Sequence, residues 1–192
     1  MILTDVFKSF IAVDYLDLDN LQLEQFCKKQ IAITEKLKNH KLNQSDHFDL
    51  SSPEIQELLN AVQEKLDLLH TEMGLHNDYY QKITEVWANV ATPDDIVIPH
   101  QHPEAIFSCV YYVKGDENSG NIEFVNPNNA HARTITPKHI AHYNSFTGNT
   151  FQAEPIPGKL LIFPSWLYHY VFPNTGTTER ISIAFNTQFE KR

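Results

Sequence analysis

Near Tyr80 the spacing of apolar residues changes, and this limits the folds open to the chain more than any other feature. Before it, Ile55, Leu58, Leu59, Val62, Leu66 and Leu69 recur at helical spacing and form one apolar stripe. Ser51-Ser52-Pro53-Glu54 offers a cap, a first-turn proline and an early carboxylate for that helix, and Gly74 offers its end. Residues 19–38 predict an earlier helix with Leu23, Phe26, Ile33 and Leu37 on one face, and residues 5–16 suggest an opening strand. Beyond Tyr80, residues 84–90, 96–102, 106–113, 121–125, 159–163 and 180–189 read as strands. They are short, rich in β-branched and aromatic residues, and parted by Pro, Gly and Asn. Helices followed by many strands predict an α+β chain with an all-β barrel or sandwich. Residues 126–150 form the longest irregular piece, placed to lie over a pocket mouth.

With 192 residues the chain fits a single domain over 1–192, divided into a mostly helical support region (1–80) and a β core (81–192). The formal net charge of −9, with no stripe of Lys and Arg, argues against tracking a nucleic-acid backbone. The small cluster Lys36, Lys38 and Lys41 reads as a solvated helix end. Cys27 and Cys109 sit in unlike settings and are expected to be buried thiols, neither a disulfide nor a metal pair. No signal-like start and no run of about 20 apolar residues is present, so the expectation is a soluble, cytoplasmic protein without a membrane partner. A homodimer is left open.

Of ten histidines, His40, His47, His70 and His76 read as surface residues, and His131, His139 and His142 fall in the irregular stretch. The informative ones are His100, His102 and His169. On an extended chain residues two apart share a side, so both imidazoles of His100-Gln101-His102 can converge on one ion. His169, after the apolar run Leu160-Leu161-Ile162-Phe163 and a Pro164-Ser165 turn, is the natural third ligand. Alone, a His-x-His is a weak signal. Arg180 and Ser182 share the opposite face of their strand from Ile181, Ile183 and Phe185. An inward Arg in an apolar barrel needs an anion, which a small dicarboxylate would supply; pairing with Glu179, Glu123 or Glu154 is the plainer alternative.

Taken together these segments resemble the Fe(II)/2-oxoglutarate-dependent oxygenase superfamily. More narrowly, they look like a group of largely uncharacterised oxygenases from bacteria and tailed phages that carry His-x-His and a later His. The similarity covers most of residues 84–186. It runs through Trp87-Ala88-Asn89-Val90, His100-Gln101-His102-Pro103, Ser108-Cys109-Val110-Tyr111-Tyr112-Val113 and Ser119-Gly120-Asn121-Ile122. It continues through Pro157-Gly158-Lys159-Leu160, Phe163-Pro164-Ser165-Trp166-Leu167-Tyr168-His169 and Arg180-Ile181-Ser182-Ile183-Ala184-Phe185-Asn186. The resemblance implies a double-stranded β-helix (jelly-roll) core flanked by N-terminal helices, with Fe(II) and 2-oxoglutarate as cofactors. It implies metal ligation by His100 and His169, and cosubstrate binding by Arg180 and Ser182, with Tyr112 beside them. Most of the superfamily has Asp or Glu where this chain has His102, so His102 is taken as the third ligand. A rival register through His102-Pro103-Glu104 would use Glu104, but proline restricts its neighbours.

The implied activity is hydroxylation of a C–H bond of a peptidyl side chain or small metabolite, consuming molecular oxygen and releasing succinate and CO2. Two other readings stay open on the residues alone: a three-histidine cupin-type dioxygenase without cosubstrate, and a non-catalytic jelly-roll binding module. Trp87, Trp166 and Tyr170 are candidates to line the pocket, although aromatics in strands more often belong to a core.

Overall fold

The computed structural model describes residues 2, 8–38, 43–128 and 135–192, without the side chains of 36–38. Within them lie β1 (Ala12–Tyr15), α1 (Asn20–Lys38), α2 (Gln56–Glu72), β2 (Tyr79–Ala91), β3 (Val97–His100), β4 (Phe107–Lys114), β5 (Ile122–Val125), β6 (Thr150–Ala153), β7 (Lys159–Pro164), β8 (His169–Val171) and β9 (Arg180–Lys191). The side chains of Lys36, Leu37 and Lys38, and residues Lys41, His40, His131 and most of the stretch ahead of β1, fall outside what is described.

α1 begins and α2 ends where their sequences say they should, whereas the expected serine cap of α2 is not formed and that helix starts only at Gln56. The Asp19 carboxylate accepts the backbone N–H groups of Leu21 and Gln22, capping α1. A short 3₁₀ turn, Pro53–Ile55, leads into α2. At its other end Gly74 takes φ 65°, while Gly74 and Leu75 donate to the carbonyls of Thr71 and His70, the paired closure that suits glycine. Leu58, Val62 and Leu66 are buried on one side of α2. The α1 face differs from the expected one: Leu23, Phe26, Cys27, Ile31 and Thr34 are buried, whereas Ile33 is exposed. Ile33 falls one position off the stripe that Ile31 and Thr34 continue. His70, expected at the surface, is buried, because it continues the inward stripe of α2 one turn past Leu66.

The strands form two sheets, a larger one ordered β1-β7-β4-β9-β2 and a smaller one ordered β3-β8-β5-β6, with every described pairing antiparallel. The helices cover the outer face of the larger sheet, α2 against β2 and α1 against β2, β4 and β9. Its strands therefore bury both faces, which explains why Leu160-Leu161-Ile162-Phe163 is apolar without a break. Leu160 and Ile162 join the core under the helices, while Leu161 and Phe163 join a second core between the sheets with Phe124 and Leu167. On β9, Ile181, Ile183 and Phe185 likewise point to the helices. Cys27 and Cys109 are free and buried, as expected.

Two strands went unforeseen. β6 and β8 are only four and three residues long, too short for a period to register. None of the described residues of the irregular stretch lines the cavity discussed below. No helix among the described residues is long and apolar enough to cross a membrane.

This placement of the helices makes a direct prediction. Leu66→Ala should destabilise the protein by about 2–5 kcal/mol, and Ile33→Ala should stay within about 0.5 kcal/mol of the parent. Urea denaturation of the two variants checks both.

Candidate metal centre and anion pocket

One end of the space between the sheets is not filled by apolar side chains. A cavity of about 420 Å³ opens there, walled by β2, β4 and β9 on one side and β3, β5 and β8 on the other. Residues on the larger sheet that do not face the helices face this cavity. On β9 these are Arg180, Ser182, Ala184 and Asn186, and on β2 they are Glu85, Trp87 and Asn89.

His100, His102 and His169 meet on the smaller sheet's side. One ring nitrogen of each lies within 4.8 Å of the others, a spacing that suits a shared ion. His100 ends β3 and His169 begins β8, and the two are directly paired across the strands. His102 lies just beyond β3, where its backbone N–H donates to the Ser165 carbonyl and so ties it to the turn before His169. The ring centroids of His100 and His169 are 4.3 Å apart, and those of His102 and His169 are 5.4 Å apart.

The second nitrogen of two rings is already occupied. His100 Nδ1 lies 2.8 Å from the Ile98 carbonyl and His169 Nδ1 lies 2.8 Å from the Leu167 carbonyl. A carbonyl only accepts, so each Nδ1 carries the proton and each Nε2 keeps its lone pair for a metal. Burial, with the neighbouring imidazoles adding to it, pulls the pKa of His102 and of His169 down to about 4. Both are therefore neutral near pH 7, the form that ligates. Glu104 does not join the group. The chain turns at Pro103 and Glu104, with Ala105 N–H donating back to the His102 carbonyl, and the Glu104 side chain is left exposed.

Arg180 lies at the far end of the same cavity, 4% exposed. Its guanidinium donates to the backbone carbonyls of Ser119 and Gly120, the latter at 3.2 Å. Those carbonyls are held in place locally: Ser119 bonds Asp116, and Gly120 sits so close to Phe172 that an added Cβ would lie 2.2 Å from its carbonyl oxygen. Among the described residues no carboxylate forms an ion pair with Arg180. Glu179 pairs with Lys28 at 2.7 Å, Glu123 is held by Gln152 and Tyr170, and Asp95, which attracts Arg180 only at range, is engaged by Thr92. Burial drives the guanidinium pKa below its ordinary range. A buried cation that faces a cavity and is paired with no carboxylate among the described residues is a standing site for an anion. Tyr112 and Ser182 are neighbours across β4 and β9, both buried and both on the cavity wall next to it. Burial also raises the Tyr112 pKa, keeping its hydroxyl protonated and able to donate.

Several wall residues carried no sequence signal of their own. Glu85 and Asn186 line the cavity, and His47, expected at the surface, stands at its edge with its ring 5.7 Å from that of Trp87. Strand parity was the available clue, since Glu85 and Asn89 alternate with the buried Val86, Ala88 and Val90. Of the aromatic candidates, Trp87 lines the cavity, Trp166 is exposed, and Tyr170 turns outward to Glu123.

Comparison with known proteins agrees with this layout. Residues 85–186 match the family described as "Putative 2OG-Fe(II) oxygenase". No curated protein matches the sequence. Among solved structures, a Pseudomonas putida prolyl-4-hydroxylase superposes with a TM-score of 0.62 at 15% identity, covering 94% of each chain. A viral collagen prolyl hydroxylase from Paramecium Bursaria Chlorella virus-1, in its 2OG complex, gives 0.57 at 12% identity over 92% of this chain and 94% of that one. HygX from Streptomyces hygroscopicus, with nickel and 2-oxoglutarate bound, gives 0.54 at 12% over 93% and 82%. At these identities the likeness is one of fold, an α+β arrangement around a double-stranded β-helix.

Two outcomes follow from the geometry. His169→Ala should lose divalent-metal binding by at least about 10-fold, whereas Glu104→Gln should leave it unchanged; calorimetric titration with Co(II) or Ni(II) separates them. In the metal-free protein, His102 and His169 stay neutral while an unfolded chain takes up protons from about 6.5 downward. Stability is thus lost as pH falls from about 6.5 toward about 4. The urea midpoint should drop between pH 7.5 and 5.5, and replacing both histidines by Gln should flatten that drop.

Proposed function

The chain belongs to the 2OG-Fe(II) oxygenase family, and we propose that within it the protein hydroxylates a C–H bond of a peptidyl side chain or small metabolite, releasing succinate and CO2. Bound together, Fe(II) and 2-oxoglutarate supply the oxidising chemistry, in which decarboxylation of the keto acid is coupled to the reduction of dioxygen.

The residues present fit both groups. Three converging imidazoles, two of them with a bare Nε2 lone pair, are a donor set for Fe(II), and His100, His102 and His169 are the proposed ligands. The carbonyls of Ile98 and Leu167 hold two of the rings in the ligating tautomer, so little reorganisation is needed on metal uptake. Arg180 is the proposed partner of the distal carboxylate of 2-oxoglutarate, with the Ser182 hydroxyl adding a bond and Tyr112 donating from the neighbouring strand. The apolar side chains of Ile122 and Val171 on the opposite wall, with Phe163 on the same sheet as Arg180, help to exclude water from the cavity.

A single observation carries the reading: a buried Arg180 with no carboxylate partner among the described residues shares one cavity with the histidine cluster. A dioxygenase lacking a cosubstrate accounts for the histidines but leaves that cation unanswered.

Iron-loaded protein under anaerobic conditions should bind 2-oxoglutarate, seen as a new visible absorption absent with either component alone. Arg180→Ala should weaken that binding by about 2–5 kcal/mol. In air, succinate should accumulate once a substrate is present. Unchanged cosubstrate affinity in Arg180→Ala would remove Arg180 from the site, and absence of any 2-oxoglutarate binding would remove the proposed reaction.

A further inference from the structure

The cavity carries one cationic and one acidic side chain, and they stand at opposite ends. Arg180 lies opposite Ala91 on β2, while Glu85 lies opposite Asn186 six positions further along β9. That spacing is roughly 20 Å of strand. The histidine cluster sits between them, since the Trp87 ring, one inward step from Glu85, is 6.0 Å from that of His102.

Glu85 reaches the cavity because of a backbone irregularity. The β2–β9 register shifts between Ile83 and Glu85, so Thr84 is the extra residue of a β-bulge. Ile83 belongs to the core beneath the helices. By strict alternation Glu85 would point there too, and the bulge turns it to the opposite face.

Once inside, the carboxylate is oriented from behind. The Ser108 hydroxyl donates to Asn186 Oδ1 at 2.8 Å, which commits the Asn186 amide nitrogen to donate to Glu85 Oε2 at 2.7 Å. Among the described residues the other oxygen, Oε1, has only the His47 ring at 4.0 Å, and the side chain is 43% exposed. It is a fixed acceptor within reach of an entering ligand. Beside it the buried Trp87 indole lies between the rings of His47 and His102, 5.7 and 6.0 Å away, and links the carboxylate's surroundings to the histidines.

We propose that Glu85 is the specificity-determining residue for the primary substrate, and that this substrate carries a protonated amine or guanidinium a short aliphatic distance from the carbon that is oxidised. Glu85 offers acceptors only, so the group it holds must be a donor, and a cation matches its charge. One inward step along β2, about 7 Å, separates Glu85 from the residue that borders His102, which sets the reach of that aliphatic spacer. The proposal rests on the oxygenase reading above. The anionic cosubstrate belongs to the Arg180 end and the cationic substrate to the Glu85 end, so neither competes for the other's pole.

The test uses full-length protein loaded with Zn(II) and 2-oxoglutarate, which holds the site closed to turnover. L-arginine and L-lysine are compared by calorimetry with their neutral counterparts L-citrulline and L-norleucine. The same four side chains are also presented in Nα-acetylated, C-terminally amidated form. At least one cationic probe should bind 10-fold or more tightly than its neutral counterpart, and Glu85→Gln should erase that preference while leaving 2-oxoglutarate affinity within about twofold. A preference confined to the blocked forms identifies a peptidyl substrate, and one confined to the free forms identifies an amino acid or similar amine. No cationic preference, or one that survives Glu85→Gln, overturns the proposal. Failure of 2-oxoglutarate to bind the parent protein would instead strike the oxygenase reading, and that is read in a separate titration.

Discussion

The larger sheet has to bury both of its faces, and the rest of the molecule follows from how it does so. One face is covered by α1 and α2, which leaves a dense core of Leu160, Ile162, Ile181, Ile183 and Phe185 beneath them. The other faces the smaller sheet, and only part of that interior is filled by Leu161, Phe163, Phe124 and their neighbours. Where the filling stops, the inward positions of β2 and β9 become polar and a cavity remains. The helices thus make the site possible without touching it. By stabilising the sheet from outside they let its inner face carry an arginine, a serine and an asparagine where packing alone would ask for apolar side chains.

Much of this was legible because it rests on strand parity. The alternation of Arg180 and Ser182 with Ile181 and Ile183 separates a polar face from an apolar one, and the structure sets those faces on the cavity and on the helices. His-x-His was legible for a related reason, though its route differs. His102 stands beyond the end of β3 and is brought in by its bond to Ser165, so the two rings converge through the turn as well as through extended geometry. The approach of His169 needed the pairing of β3 with β8, which joins residues distant in sequence.

What escaped the sequence has equally local causes. β8 spans three residues, too few for any periodic pattern. Glu85 shares the parity of Trp87 and Asn89, but the bulge at Thr84 breaks that alternation from Ile83, so the strand as a whole does not mark its face. His70 was misplaced because an ionisable residue on a helix suggests solvent, whereas here it extends an apolar stripe and bonds the His76 carbonyl. Ile33 erred the other way, an apolar residue just off the buried face of its helix. In each case tertiary placement overrode composition.

The cross-strand pair of His100 and His169 bears on how the molecule opens as well as on what it holds. β3 is an edge strand of four residues whose sole partner among the described residues is β8, and their register is broken between Val97 and His100. So short and irregular a margin belongs to the low end of the range of local opening free energies. An ion held by both histidines would act there as a clasp, and its binding energy would fall on that one seam more than on the helical core. Occupancy of the site would then favour closure of the barrel rim, and the seam along β3 would be where loading is felt first.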